Sequence, residues 1–509
     1  MNEFKMNPLK LIFFIMIVGL SANITHAESQ VTSMVCEYHE NPVGIDVESP
    51  RLSWQIESDE KEVKQTAYEI RVAGSPAALN RKSRLIWSSG KVESDQSVNV
   101  KYQGPQLQPG QRAYWQVRVW DNKGNRTSWS EPAFWEMGLL SPDDWEASWI
   151  TMKGEKKVKE SLPVHYYRKE FSTPKKIESA RVYVSSLGLY QLFINGEKVS
   201  DDLFTPGWTS YQNRVQYQTY DVTSMLKSGN AIGAMVGDGW YRGNIGFRGQ
   251  RAYYGDQLGL IVQLVIDYSD GTSSTITTGQ DWQVSTGPIL YSDIYNGEMV
   301  DANLEMEGWN SQGFDGSGWK NAGILDHPKD VLVAPQGEPV KAVEEIKPVE
   351  QLTTPKGEMV FDLGQNMVGW VRIRLNGEKG DTVVMKFAEV LDKEGNFYTE
   401  NLRAAKCTDT YILKGDGEEV YEPSFTFHGF RFLKLEGLDE PPALDDITGV
   451  VIYSDMPSTG SFECSNPLIN QLQHNIRWGQ KGKFLDVPTD CPQRDERLGW
   501  TGDAQVFAP

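Results

Sequence analysis

The feature that most constrains this 509-residue chain is a change of period near residue 465. Upstream, apolar residues recur at every second position. Residues 51–54 (RLSW), 66–72 (TAYEIRV) and 113–120 (AYWQVRVW) read this way, as do 180–184, 189–194, 369–375, 382–388 and 427–433. Alternation of this kind suits a strand with one buried face, because successive side chains leave opposite sides of a sheet. Gly, Pro, Asn and Asp bound the runs, and Asn195-Gly196 is a strong hairpin signal. Then Ser465-Asn466-Pro467 offers a capping side chain and a first-turn proline. Leu468, Leu472 and Ile476 follow at intervals of four, which predicts a helix over 467–480. Many strands followed by one helix predict a mainly β protein, and the length is too great for one core.

Four units follow from the punctuation. Residues 28–145 read as a first β-sandwich, and YWQVRVWDNKGNRTSWSE resembles the late strands of a fibronectin type III domain. Its Trp54, Trp115, Trp120 and Trp129 can fill a small core or form a sugar platform. Residues 150–340 form a larger, aromatic-rich β unit of the kind that binds carbohydrate, and 341–457 a third strand-rich unit. Residues 458–509 begin something helical. In the second unit, Asp201, Asp202 and the segment 295–301 offer hard oxygen ligands of the kind Ca²⁺ takes, or simply cap turns. His428 beside Gly429 reads as a structural histidine.

Residues 1–27 read as a secretory leader: Lys5 and Lys10, an apolar run over 9–22, and Thr25-His26-Ala27 at the cleavage end. The expected location is periplasmic or extracellular, with no membrane span in the mature chain. The formal net charge of −19 argues against nucleic acid or an anionic membrane as partner. Four cysteines (36, 407, 464 and 491) are too few for a disulfide scaffold, although Cys464–Cys491 can pair. Neither they nor the six scattered histidines have metal-ligand spacing, so no cofactor is required.

The chemistry concentrates in residues 486–503, DVPTDCPQRDERLGWTGD. Asp490, Asp495, Glu496 and Asp503 are interleaved with Arg494, Arg497 and Trp500. Burial and mutual repulsion can push such carboxyl pKa values apart, while guanidinium groups hold some ionised. The same residues can instead form a salt-bridge knot at a helix junction.

That stretch resembles the active-site signature of bacterial α-L-rhamnosidases, glycoside hydrolase family 78. Three upstream blocks resemble the same family in the same order: SLGLYQLFINGEKVSDDLFTPGWTSYQNRVQYQTYDVT, FDLGQNMVGWVRI and FTFHGFRFLKLEG. The resemblance implies jelly-roll or lectin-like accessory sandwiches, the second concanavalin-like, and an (α/α)6 catalytic barrel beginning at the predicted helix. It implies inverting hydrolysis of terminal α-L-rhamnose from glycans or glycosides. By motif position, Glu496 matches the general acid, and Asp490 and Asp503 match acids that bind sugar hydroxyls or tune it. Arg494, Asp495 and Trp500 match substrate-binding positions. The family's general base is a later Glu, past Pro509, so the 509-residue chain is expected to be an inactive fragment. Two other readings stand beside this one: a non-catalytic carbohydrate-binding protein acting through residues 150–340, and a helical-barrel glycosidase for another α-L-sugar.

Overall fold

Strands form where the alternation predicts them. The computed structural model describes residues 29–155, 160–247 and 249–507, without the side chains of residues 503, 504 and 507, so the leader read in residues 1–27 lies outside the described residues. The chain divides into two compact units. The first holds residues up to 135, apart from 43–48 and 107–111. Its strands are β1 (Gln30–Cys36), β2 (Arg51–Glu57), β3 (Gln65–Ala73), β4 (Leu85–Ser88), β5 (Val100–Lys101), β6 (Arg112–Asp121) and the first part, up to residue 135, of β7 (Ala133–Met137). One sheet runs β1–β2–β5, and the other contains β7–β6–β3–β4 in that order. Trp54 and Trp115 are core residues, and the Trp54 indole donates to Gln65 Oε1 at 3.0 Å. Trp120 and Trp129 are not core: both are half-buried. The Arg118 guanidinium lies 4.5 Å from the Trp129 ring and 5.3 Å from Trp120, and Arg71 lies 4.0 Å from Trp129. They pack cations, a second use of a strand-face tryptophan that alternation does not distinguish from burial.

The second unit holds 136–507 of the described residues together with 43–48 and 107–111. One six-stranded sheet is built around β8 (His165–Ser172), β10 (Leu189–Ile194) and β11 (Gly229–Gly237), with β11 central. A second pairs β9 (Ile177–Leu187) with β12 (Gly259–Tyr268), antiparallel, in the register Val182↔Leu264. The third, ten-stranded, runs β13 (Ile289–Asp293), β14 (Gly297–Asp301), β17 (Thr408–Ile412), β16 (Thr382–Ala388), β18 (His428–Glu436), β15 (Met359–Leu375), β19 (Ile447–Ser454) and then Val340–Ile346. The hairpin β13–β14, which the sequence groups with 150–340, thus adds to this third sheet through a parallel pairing, Met299↔Thr410. Its tip, Ile294 to Asn296, is thereby carried to the stretch that holds the acids. A continuous apolar core joins the three sheets.

Helix α1 runs from Pro467 past Gln480 to Lys483. The Asn466 side chain accepts the Leu468 N–H, as the sequence predicts. Lys481 and Lys483 sit where the helix dipole favours cations, and Lys481 pairs with Glu344. Leu468 and Leu472 are 79% and 56% exposed. No helix among the described residues is long and apolar enough to cross a membrane.

Candidate active site

After α1 the chain reverses through a short antiparallel pair, Phe484–Leu485 with Val487–Pro488. Asp486 sits at the reversal with φ of 65°. Its N–H donates to Ser454 Oγ at 3.0 Å, and its carboxylate accepts the Trp208 N–H. Trp208 comes this close because it follows Gly207, where a Cβ would stand 2.8 Å from Asp486 Oδ1 at a φ of +102°. Burial pushes the Asp486 pKa up to about 6 against the opposing pull of the Trp208 N–H. A second close approach fixes the loop's other end. At Gly429 of β18 a Cβ would lie 2.8 Å from Gln493 Cβ, so a glycine there lets the acid loop lie against the sheet.

Between these anchors the carboxyls converge. Reactive atoms of Asp490, Cys491 and Glu496 all lie within 4.8 Å of one another. The Cys491 thiol donates to Asp490 Oδ2 at 3.3 Å, and burial pushes that thiol up to about 12. Arg494 Nη2 donates to Glu496 Oε2 at 3.1 Å. Burial acts to raise the Asp490 pKa. Hydrogen bonds from Glu496 and Cys491, with the charges of Lys483 and Arg494, outweigh it and hold Asp490 below the usual carboxylate range. Glu496 thus lies between Asp490 and the Arg494 guanidinium, from which it accepts. Glu496 is 7% exposed, deep enough for these contacts to act in a low dielectric.

Arg497 takes no part in a knot. It is fully buried with φ of 45°, and its Nη1 donates to the carbonyls of Ile294 and Phe427, the latter at 2.9 Å. Its Nη2 reaches Cys407 Sγ at 3.5 Å, and the guanidinium lies 5.0 Å from the Tyr295 ring and 4.8 Å from Phe427. Desolvation lowers its pKa from the arginine range. Tyr295 donates its hydroxyl to the Glu496 carbonyl and accepts the Gly246 N–H at 2.9 Å. The hairpin tip and Arg497 together clamp the peptide that carries Glu496. Beneath it, His428 Nε2 meets Asp409 Oδ1 at 3.0 Å, and its ring stacks on Phe387 at 4.0 Å. Burial opposes the imidazolium, but Asp409 wins and raises His428 to about 9. The structural reading of His428 has its partners.

The predicted site residues divide accordingly. Asp490, Arg494 and Glu496 come together. Asp495 is buried, and its N–H reaches the Leu402 carbonyl at 3.3 Å. Its side chain lines a cavity. Trp500 is 53% exposed. Asp503 falls on helix α2 (Thr501–Phe507), and its side chain lies outside the described residues. Asp202 accepts the Tyr220 hydroxyl at 3.1 Å, and Asp201 is exposed. In the segment 295–301, Glu298 accepts the N–H groups of Ser424 and Phe425, and Asp301 caps Asn303. All four cysteines are free thiols, and Cys464 Sγ points to the Asn466 carbonyl. Sequence reasoning missed Asp486, Tyr295 and the Arg497 clamp. Their partners lie between 32 and 278 residues away, and no local spacing encodes such distances.

Four family models match in order. They are the Rha78A-like N-terminal immunoglobulin domain over residues 31–141, the α-L-rhamnosidase N-terminal domain over 175–344, the bacterial α-L-rhamnosidase concanavalin-like domain over 352–453, and the bacterial α-L-rhamnosidase six-hairpin glycosidase domain over 457–509. The first is described as immunoglobulin, a sandwich related in architecture to the fibronectin type III likeness in the sequence. An α-L-rhamnosidase of Formosa agariphila is 39% identical over 93% of this chain and 52% of its own length. The crystal structure of an Aspergillus terreus α-L-rhamnosidase superposes with a TM-score of 0.87 at 43% identity, covering 94% of this chain and 55% of that one. That of a Streptomyces avermitilis α-L-rhamnosidase, complexed with L-rhamnose, gives 0.88 at 35% identity, covering 94% and 63%. The chain thus spans between about half and five-eighths of the length of these relatives. With all four models in sequence order and relatives aligned along nearly its whole length, the chain belongs to the bacterial α-L-rhamnosidase family, glycoside hydrolase family 78.

Proposed function

We propose that the whole protein hydrolyses terminal α-L-rhamnosides with inversion, and that Glu496 is its general acid. The observation that carries this is the convergence of Asp490, Cys491 and buried Glu496 within 4.8 Å, with Asp490 held below the usual carboxylate range although burial acts to raise it. A glycosidase acid must present a proton to the leaving oxygen, and a buried carboxyl set beside another is placed for that role. Arg494 anchors the second Glu496 oxygen and fixes the rotamer. Asp490 binds or tunes rather than activating water: its separation from Glu496, under 4.8 Å, is well short of the roughly 6.5–9.5 Å an inverting pair needs. Asp503, Asp495 and Trp500 are assigned to substrate contacts on motif position. The relative complexed with L-rhamnose supports the sugar.

The test is hydrolysis of an aryl α-L-rhamnoside by the whole protein, with the first-formed anomer read by NMR. Glu496→Gln should lower kcat by about 10³-fold, the usual worth of a positioned acid. Its amide oxygen can still accept from Arg494, so the melting temperature should hold. Wild-type rates in that variant, or retention of configuration, would refute the assignment. We also place the mature protein outside the cytoplasm, on residues 1–27; a product that stays in the cytoplasm and still begins at Met1 would refute this.

A further inference from the structure

The hairpin tip that carries Tyr295 is itself held by one buried carboxylate. Asp293 ends β13 and pairs with Gly297 across the hairpin, which leaves residues 294–296 as the loop. It is 0% exposed. Its Oδ1 accepts the N–H groups of Tyr295 and Asn296 at 2.9 and 3.0 Å, and its Oδ2 accepts the Asn244 N–H at 2.8 Å. We propose that Asp293 is a positioning residue for the general acid: its carboxylate joins two loops so that Tyr295 holds the Glu496 peptide in place. The inference rests on the rhamnosidase reading above and adds to it a residue outside the acid motif.

Connectivity gives the first argument. The Tyr295 hydroxyl donates to the Glu496 carbonyl and accepts the Gly246 N–H at 2.9 Å. The near end of the same residue is fixed by its own N–H on Asp293 Oδ1. Gly246 lies two residues past Asn244, which is bound to Oδ2. One side chain thus sets both ends of Tyr295. The Arg497 half of the clamp hangs on the same place. Arg497 Nη1 donates to the carbonyl of Ile294, the next residue, and to that of Phe427. The Asp293 carbonyl in turn accepts the hydroxyl of Thr426, beside Phe427, at 2.9 Å.

Chemistry gives the second. A turn needs only the two Oδ1 bonds, which asparagine makes as well as aspartate. The Oδ2 bond to a separate loop is what turn formation does not explain. Only an acceptor at both ends serves there, because an amide sets its NH2 against the Asn244 N–H, donor to donor. The partner loop is braced as well, so a position fixed at Asn244 is carried on to Gly246. Buried Asp238 accepts from Arg242 Nε at 2.5 Å and from Arg251 Nη2 at 2.6 Å, and the Ile245 N–H meets the Gln250 carbonyl at 2.8 Å.

The experiment measures kcat and KM of the whole protein on a dinitrophenyl and a methoxyphenyl α-L-rhamnoside. Dinitrophenolate leaves without a proton, whereas methoxyphenolate needs one from the acid. Asp293→Asn keeps the turn and breaks the link to Asn244. It should lower kcat on the methoxyphenyl substrate about tenfold, the order that one hydrogen bond to a charged group supports, and on the dinitrophenyl substrate by no more than about twofold. KM should hold for both. Val182→Ala is the control: it truncates a buried residue in the sheet registered by Val182↔Leu264, and it should lower the melting temperature without changing the ratio of the two kcat values. If Asp293 acts through Tyr295, the double variant Asp293→Asn/Tyr295→Phe should show the same ratio as Tyr295→Phe alone. A ratio in Asp293→Asn that matches wild type, or effects that add in the double variant, overturns the proposal. If wild type cleaves no rhamnoside, the rhamnosidase reading fails, and hydrogen exchange decides the joint separately. Faster exchange over residues 494–497 in Asp293→Asn supports it, and equal exchange overturns it. If Asp293→Asn does not fold, exchange of the wild type is read instead: amides of 244–246 as slow as those of β14 support the joint, and amides that exchange at the rate of an open loop overturn it.

Discussion

Asp486→Asn should make the second unit more stable at neutral pH, and the gain should shrink on acidification. In the fold the Asp486 carboxyl titrates near 6, because burial disfavours its charge. In the unfolded chain it titrates near 3.9. The folded group therefore holds its proton more tightly, and between these values the native state binds more protons than the unfolded one. Stability then falls as pH rises through that window, and above about pH 6 the penalty is complete. Linkage over the two values gives about 3 kcal/mol at pH 7.5 and about 1 kcal/mol at pH 4.5. Asparagine resembles the protonated carboxyl in shape, and its carbonyl still accepts the Trp208 N–H. The variant should thus gain nearly all of that difference at pH 7.5 and about a third of it at pH 4.5. Denaturant titrations at the two pH values, followed by tryptophan fluorescence, measure it. A variant no more stable than wild type at pH 7.5, or a gain that does not change with pH, would refute the burial argument.

Gly429→Ala should push Gln493 and the acid loop off the sheet, since its Cβ would lie 2.8 Å from Gln493 Cβ. Overpacking of that kind costs about 1–3 kcal/mol and should lower kcat as well as the melting temperature. Asp409→Asn leaves the His428 ring buried without its counter-charge, a loss of about 3–5 kcal/mol visible in denaturant midpoints. The His428 pKa is raised in the fold to about 9, so the pair's contribution is complete below about pH 6.5 and is lost as pH climbs through 9. The gap between wild type and Asp409→Asn should therefore narrow between pH 7 and 9.5, and a gap constant over that range would contradict the assignment. Arg497→Met should lower kcat more than it raises KM, because it frees the peptide carrying Glu496 while leaving Arg494 in place; unchanged kcat would make Arg497 a packing residue only.

The β architecture was legible because a strand with one wet face must alternate, and residues 113–120 do so whatever surrounds them. Helix α1 was legible because a cap and a first-turn proline act within a few residues; only its end ran on, to Lys483, where the short pair with Val487–Pro488 stops it. Trp120 and Trp129 were not, because alternation places a ring on a face without saying whether apolar groups or arginines meet it there. The acid stretch lies between these cases. Asp490, Arg494 and Glu496 are close in sequence, so their convergence could be read. What distinguishes a site from a salt-bridge knot could not, because it is decided by groups far along the chain. Arg497 would have to pair with an acid in a knot; it meets the carbonyls of Ile294 and Phe427 instead. That leaves Arg494 to hold Glu496. Asp490 is held below the usual carboxylate range by its neighbours, and a loop that is merely charged becomes one whose two carboxyls have different surroundings. The difference depends on a hairpin tip that the third sheet borrows from residues 289–301, so the acid's setting is a property of the sheet's topology as much as of the motif.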